Sequence, residues 1–379
     1  HSLVIANSRV YIRPMTNRKP EGTLRKGWTT GCCAAAAAVA AFEALVSGNF
    51  QDPVSVNLPR GETPTFALSR AEAAGDGFQA GIIKDAGDDP DVTHGAEIIA
   101  LVEPGPADSG VTFRAGDGVG TVTLPGLPLA VGEPAINPAP RQIITANLEA
   151  AVERLGHACD VIVTISIPGG QVLAEKTMNG RLGIKGGLSV LGTTGVVIPY
   201  SCASWIHSIH RGVDVARAGG ITHIAAATGS TSEAAVRDLY KLSDRALIDM
   251  GDFAGGLLKY LRQHPIEKVT IAGGFAKLLK LAQGHMDLHS SRSSVDFDDL
   301  AGKLADLGGD DNACRQAETA NTAMEVLELA KTFDLPLDRA LGDRVALGAR
   351  ETALAALSGD VELEVLVFDR TGGQIGRAG

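Results

Sequence analysis

Aromatic side chains are scarce, at 4% of the 379 residues. The core therefore has to come from Val, Ile, Leu and Ala, which suits helices packed closely on sheets. Cysteine is sparse and unpatterned. Cys32, Cys33, Cys159, Cys202 and Cys314 are odd in number and contain no C-x-x-C pair. Neither a disulfide framework nor a zinc site is indicated, and the five read as reduced thiols. Positive charge is in deficit, with 34 Lys and Arg against 44 Asp and Glu, a formal net charge of −10. That balance argues against a nucleic-acid partner, whose phosphates need a basic surface. A pocket can still be locally basic on an acidic protein. No apolar run approaches the ~20 residues of a membrane-crossing helix, so no membrane role is expected. Leu3–Ala6 is too short for a signal-peptide core, and a cytoplasmic protein is expected. His1-Ser2, without a methionine, reads as a tag remnant. Internal repeats and low-complexity linkers are missing too.

What is present is enough chain for two packed domains. The Ala-rich run Thr30–Ser47 predicts a helix, with Thr30 as N-cap and Gly48 as its stop. Short β-rich stretches follow at Val54–Leu58, Thr65–Ser69, Phe78–Lys84, Glu97–Glu103 and Val111–Arg114. Pro140–Leu155 reads as a helix with Pro in its first turn, and Cys159–Ile167 as a buried strand. This half predicts a mainly antiparallel sheet with few helices.

After about residue 200 the pattern alternates. Strands are predicted at Ile221–Thr228, Ala246–Met250 and Val269–Ala272. Helices follow from Ser230, over Phe253–Gln263 and over Phe275–Ala282. Ser230 and Glu233 have capping-box spacing. Two long helices, Asn312–Thr332 and Asp338–Leu357, and a last strand Glu362–Phe368 complete a Rossmann-like, doubly wound parallel sheet. The fold class is thus α/β plus α+β, divided as an α+β domain over residues 1–200 and an α/β domain over 201–379. The boundary falls between 185 and 220.

Six segments carry candidate chemistry. Thr29-Thr30-Gly31-Cys32-Cys33 opens the first helix behind Arg25 and Lys26, a pattern that fits an anion site or an ordinary capped helix. No base accompanies the thiols, which argues against a reactive cysteine. The densest polar stretch runs from Lys84 to Gly95, with Asp85, Asp88, Asp89, Asp91 and His94. Crowded carboxylates raise the pKa of at least one, which is how a general acid or base near neutrality arises, although Gly, Asp and Pro equally make solvated turns. It lacks the order and closing Glu of an EF-hand. Three prolines in the 133–141 stretch fix the directions of Glu133, Asn137 and Arg141, for a binding loop or a stiff connector. Residues 183–195 hold Lys185 among five glycines without a Walker pattern.

In the second half, Thr228-Gly229-Ser230 lies between a strand and a helix, and Asp249 ends the next strand. That arrangement fits a nucleoside without phosphates, or plain sheet architecture, because G-x-G-x-x-G is missing. His285 and His289 are four apart, spaced for a metal on a helix but without a third ligand. Either imidazole could bind a carboxylate or move a proton, or stand as a surface histidine.

Taken together, LRKGWTTGCCAAAAA, KDAGDDPDVTHGAEI, VGEPAINPAPR, GIKGGLSVLGTTGVV and AGGFAKLLKLAQGHMDLHSS resemble, in order, the CbiD family of cobalt-precorrin-5B (carbon 1) methyltransferases of cobalamin biosynthesis. The resemblance runs from about residue 24 to 290, and the region after about 295 adds little to it. Cys32 departs from a position where the family carries another small, usually polar residue; Cys33 matches. The resemblance implies S-adenosylmethionine as methyl donor, a tetrapyrrole acceptor rich in carboxylates, cobalt-precorrin-6A as product, and no protein-bound metal. It implies a catalytic base among Asp85, Asp88, Asp89 and Asp91, with His94 nearby. Arg25, Lys26, Arg141 and Lys185 would balance the acceptor's carboxylates, with Thr29, Thr30, Glu133, Asn137, His285 and His289 as further acceptor contacts. Thr228, Gly229, Asp249, Gly273 and Gly274 would hold the donor, and neighbouring pathway enzymes are expected as transient partners. Two competing readings are a non-catalytic corrinoid carrier and a dinucleotide-dependent reductase of the same pathway. Oligomeric state and the acceptor's metal content stay open.

Overall fold

The protein is described from a computed structural model over residues 22–157, 159–357 and 361–379, so Leu3–Ala6 lies outside the described residues. Helix α1 spans Thr30–Ser47. Its N-cap is Thr29 and not Thr30: the Thr29 hydroxyl accepts the Cys32 N–H at 3.2 Å. Gly48, at φ +77°, closes it with its N–H on the Ala44 carbonyl at 2.7 Å. Residues 30–44 are all buried. By length and composition α1 could cross a membrane, an apolar run the sequence reading passed over; here it is the axis of a protein core.

Around α1 pack helix α2 (Pro138–Leu155) and a five-stranded sheet of β1 (Arg70–Ala74), β2 (Gly77–Ile83), β3 (Glu97–Pro104), β4 (Val111–Ala115) and β5 (Val161–Ser166). The spatial order is β1-β2-β3-β5-β4, antiparallel except for the β4–β5 pair. Every other residue of β5 (Val161, Val163, Ile165) enters the core, so this strand alternates where a strand buried on both faces was expected. Methyl-sized side chains along α1 let helix and sheet approach closely.

The second sheet contains β6 (His223–Ala227), β7 (Leu247–Asp249), β8 (Lys268–Gly274), β9 (Glu362–Phe368) and β10 (Gln374–Ala378). Its order is β7-β6-β8-β9-β10; the first four are parallel, and β10 returns antiparallel as a final strand beyond the expected last one. One face carries Ile224, Ala226, Val269, Ile271, Val365 and Val367 against α3 (Cys202–Ala218), α5 (Ala254–Leu261), α6 (Phe275–Ala282) and α10 (Asp338–Leu357). On the other face Val236 and Tyr240 of α4 (Ser230–Tyr240) cover Ala225, Ala272 and Leu366. The fold is mixed α/β, with antiparallel and parallel sheets.

Helix α3 escaped the sequence reading, although Ile209, Val213 and Ala216 have helical spacing and are buried. Helix α7 (Phe297–Asp306) escaped too. The expected single helix over 312–332 is two, α8 (Asp311–Glu318) and α9 (Ala323–Ala330). Thr322 starts the second by accepting the Glu325 N–H at 3.3 Å, while Glu325 accepts the Asn321 N–H at 3.0 Å, a capping arrangement that competes with helix continuation. At α4 the Ser230–Glu233 capping box does not form. Glu233 instead receives Arg181 in two hydrogen bonds of 2.8 and 2.6 Å.

Candidate functional site

The acidic loop follows β2 and is built around a buried cation. Lys84 is 2% exposed, and its ammonium group ion-pairs with Asp91 and donates to the Thr93 hydroxyl at 2.5 Å. Asp91 also accepts the Thr93 N–H at 2.7 Å. Burial alone would raise Asp91, but the charge and hydrogen bond of Lys84, with those of Thr93, outweigh it and hold the carboxyl low. Asp85 takes the Arg25 guanidinium in a two-point pair of 2.5 and 2.9 Å and accepts the Gly87 N–H at 2.9 Å. The Arg25 bond first, then that amide, hold Asp85 down at about 2. Asp88 accepts the Arg25 N–H at 2.6 Å.

Asp89 differs. One of its oxygens accepts the Tyr200 N–H at 2.8 Å, and the other makes no hydrogen bond among the described residues. Burial raises its carboxyl above the usual range, against that single hydrogen bond. His94 receives the Ala86 N–H on Nδ1 at 3.1 Å, so in that tautomer its exposed edge presents Nε2–H, a donor.

Four of the six singled-out segments meet at the start of α1. Gly27 lies so close to the acidic loop that a Cβ there would stand 2.0 Å from the Ala86 carbonyl carbon. The Leu191 carbonyl accepts the Gly31 N–H at 2.9 Å, and the Gly195 carbonyl accepts the Thr29 N–H at 2.9 Å. Val190 pairs with Ile136, and its carbonyl accepts the Asn137 N–H at 3.1 Å. Two amides that an anion would use at this helix end, on Gly31 and Cys32, are thus spent on Leu191 and Thr29, and Thr30 is buried. Arg141 turns inward: it donates to the Ile136 and Pro134 carbonyls at 2.8 and 3.2 Å, pairs with Glu133 at 2.8 Å and stacks over Phe113. Lys26 and Lys185 stay exposed.

A second site opens at the carboxyl edge of the parallel sheet. The chain leaves β6 for β7 on one side and then crosses to β8 on the other, so β6 and β8 flank a topological switch point, where open α/β sheets bind ligands. A cleft of about 440 Å³ lies there, lined by Thr228, Gly229, Ser230, Gly274, Lys277 and Arg370, among others. Gly273 sits behind it, against the Thr228 side chain. Asp249 does not line this cleft. Burial first, and then neighbouring Glu233, raise its carboxyl, with Arg181 opposing.

Lys277 and Arg370 were missed in the sequence. The turn Asp369-Arg370-Thr371-Gly372-Gly373 directly follows a strand that was predicted, and that position was the available signal. His285 and His289 lie beyond the end of α6 in non-helical chain, so the helical metal spacing does not apply. Nδ1 of His289 accepts the Ser291 N–H at 3.2 Å. Cys32 and Cys33 are fully buried, and burial pushes the Cys33 thiol up to about 12.

The family model described as CbiD matches residues 17–199, and that described as CbiD, C-terminal domain, matches 287–379. The stretch after 295 therefore carries family signal the sequence reading did not see. A "Cobalt-precorrin-5B C(1)-methyltransferase" of Paramagnetospirillum magneticum is 59% identical over 359 residues, covering 94% of this chain and 99% of that one. One of the same name from Methylorubrum extorquens is 56% identical over 354 residues, covering 93% and 96%. A crystal structure titled as a cobalamin biosynthesis protein (cbiD) from Archaeoglobus fulgidus is 31% identical, covers 72% of this chain and 84% of that one, and superposes with a TM-score of 0.40. By identity over nearly its whole length, the chain belongs to the CbiD family.

Proposed function

We propose that the chain is an S-adenosylmethionine-dependent C-methyltransferase acting on carbon 1 of cobalt-precorrin-5B, giving cobalt-precorrin-6A in anaerobic-type cobalamin biosynthesis. The observation that carries this is the identity of 59% and 56%, across almost the full length of both partners, to relatives bearing that name. We read residues 1–200 as the acceptor domain and 201–379 as a Rossmann-like donor domain. The sheet order and the cleft at the switch point support the second assignment. We place the enzyme in the cytoplasm, handing its labile product to neighbouring pathway enzymes; its five free thiols support that compartment.

The residues present suit the donor. The cleft volume falls within the roughly 300–1,000 Å³ of small-molecule sites. A Cβ on Gly229 or Gly274 would meet nothing within 4 Å, so the backbone there is open to close approach. The donor brings a methyl group on a sulfonium sulfur, already activated for displacement. The protein's share is then to hold both partners in line, where orientation alone supplies much of the rate. Thr228, Gly229, Gly273 and Gly274 hold the donor in this reading, with Asp249 one strand away.

Asp89 is the residue we assign to remove a proton from the macrocycle and leave the ring carbon nucleophilic. Its raised carboxyl and its unbonded oxygen support the role. Asp85 and Asp91, expected as alternatives, are ion-paired in holding the loop. Asp88, which like Asp89 accepts one backbone N–H, is exposed where Asp89 is partly buried. Exposed Lys26 and Lys185 suit acetate and propionate arms, and exposed Leu191, Ile198 and Trp205 suit the flat apolar body of the ring.

Calorimetric titration with S-adenosylhomocysteine, with NAD as control, tests the donor class. Stoichiometric binding of the first and silence from the second is expected. Binding of NAD alone would move the chain to the reductase reading.

A further inference from the structure

The carboxyl-edge cleft is also lined by donors for which the described residues provide no acceptor. Helices α4 and α6 both begin at it, from Gly229 and Gly274, without a capping side chain. The first-turn amides of Ser230, Thr231 and Ser232, and those of Phe275, Ala276 and Lys277, have no intrahelical acceptor. Side chains cap α1, α7, α8 and α9, through Thr29, Asp296, Asp310 and Thr322, whereas α2, α3 and α5 share the uncapped start. What sets α4 and α6 apart is that both open onto the cleft.

The second observation is independent of the helix ends. Thr228 is 5% exposed, lines the cleft, and its hydroxyl has no hydrogen-bond partner among the described residues. Buried hydroxyls are ordinarily paired, and only the cleft is left to supply a partner. Charge adds to this. Arg370 is exposed at the rim. The neighbouring Asp369, which also lines the cleft, accepts the Thr371 N–H at 2.8 Å, the Thr371 hydroxyl at 2.7 Å and the Gly373 N–H at 2.8 Å, all on Oδ1, so Arg370 has to offset the charge left on that carboxylate's second oxygen. Lys277 donates to the Thr228 carbonyl at 2.7 Å and pairs with Asp252 at 3.0 Å, which holds a cation beside the same backbone.

We propose that this cleft binds a carboxylate, with the Thr228 hydroxyl and the first-turn amides of α4 and α6 as donors and Arg370 as counter-ion. Two helix N-termini add their positive ends at one point, and an anion is the ligand they favour. Resting on the donor reading above, the carboxylate is the amino-acid end of the methyl donor, which would aim the adenosine along the sheet edge. A carboxylate arm of the acceptor shares the chemistry, and the test separates the two.

The full chain is titrated with S-adenosylhomocysteine and with its decarboxylated analogue, S-adenosyl-3-thiopropylamine. Wild type is compared with Thr228→Val, near-isosteric and checked for an unchanged melting temperature, and with Arg370→Gln. We expect the carboxylate-bearing ligand to bind wild type at least tenfold tighter than the analogue. Each variant should cost it about tenfold while leaving the analogue unaffected. Equal affinity of the two for wild type removes the donor's carboxylate from the cleft. Cobyrinic acid, a corrin polyacid, then decides: a tenfold loss in both variants keeps the carboxylate site and assigns it to the acceptor, and no loss overturns the site altogether. If no adenosyl compound binds, the donor reading fails on its own, and the polyacid arm alone judges the carboxylate site.

Discussion

Asp89 and Tyr200 are 111 positions apart, and the carboxylate of the first accepts the backbone N–H of the second at 2.8 Å. Tyr200 stands just before α3 in a left-handed conformation, φ +57°, rare for a bulky side chain. Helix α3 in turn sends Trp205 Nε1 to the Asp249 carbonyl at 3.1 Å, at the end of β7. The acidic loop is therefore connected through residues 200–205 to the edge of the sheet that bears the cleft.

Asp89→Asn separates chemistry from structure at this contact. An amide oxygen still accepts the Tyr200 N–H, so the fold should hold. Since burial makes the charged form of Asp89 costly, its native carboxyl lies above its unfolded value, and wild type loses stability as pH rises through the native value. The Asn variant lacks that loss and should melt at or slightly above wild type at pH 7. Turnover should fall about 10²–10⁴-fold, the range of a lost general base. The rising limb of the pH–rate profile should vanish with it. Unchanged turnover would remove the acidic loop from catalysis.

Lys84→Met leaves Asp91 without its cation. Removing one partner of a buried pair costs about 3–5 kcal/mol, and somewhat less is expected here because Asp91 is partly exposed. The pH response should also invert. In wild type the depressed Asp91 contributes stability above its unfolded pKa, lost as pH falls through the lower folded value. In the variant burial dominates and raises Asp91, so denaturant midpoints should improve from pH 7 to pH 5. Parallel midpoints for both proteins would contradict this.

Gly27→Ala places a methyl group 2.0 Å from the Ala86 carbonyl carbon, against backbone that cannot rotate away. Overpacking of this kind costs about 1–3 kcal/mol or more, and the acidic loop should detach. Thermal melting with hydrogen exchange at Trp28, whose N–H is bonded to the Asp85 carbonyl at 2.8 Å, reads both effects. A protected Trp28 amide at wild-type stability would show that the close approach is not needed.

The Arg181–Glu233 pair is partly buried and ties residue 181 to the first turn of α4. A cycle of Arg181→Gln, Glu233→Gln and the double variant should give a coupling of about 1–2 kcal/mol, above an exposed pair and below a fully buried one. A coupling near zero would reduce it to a surface contact.

Much of the architecture was legible. Helix ends with strong local signals, such as Gly48 and Phe275, fell where expected, and so did Asp338–Leu357 and Glu362–Phe368. Errors arose where long-range pairing overrode local chemistry. Ser230 and Glu233 carry capping-box spacing, yet Arg181, 52 positions away, takes Glu233. Asn321-Thr322 is a helix start embedded in helix-forming sequence, and the break went unseen. For the candidate site, the segments could be found as segments. Their roles could not be separated, because which of the four aspartates are ion-paired depends on Arg25 and Lys84, and which is partly buried depends on the packing near Tyr200, contacts without local spacing.

The most direct test of the account is transfer of a labelled methyl group. Cobalt-precorrin-5B is incubated with the protein and S-adenosylmethionine carrying ¹³C in its methyl group, and the product is read by mass spectrometry and ¹³C NMR. The account predicts one labelled methyl group on ring carbon 1, with stoichiometric S-adenosylhomocysteine. A macrocycle that binds and is recovered unlabelled, with the donor intact, would contradict it and leave a corrinoid carrier.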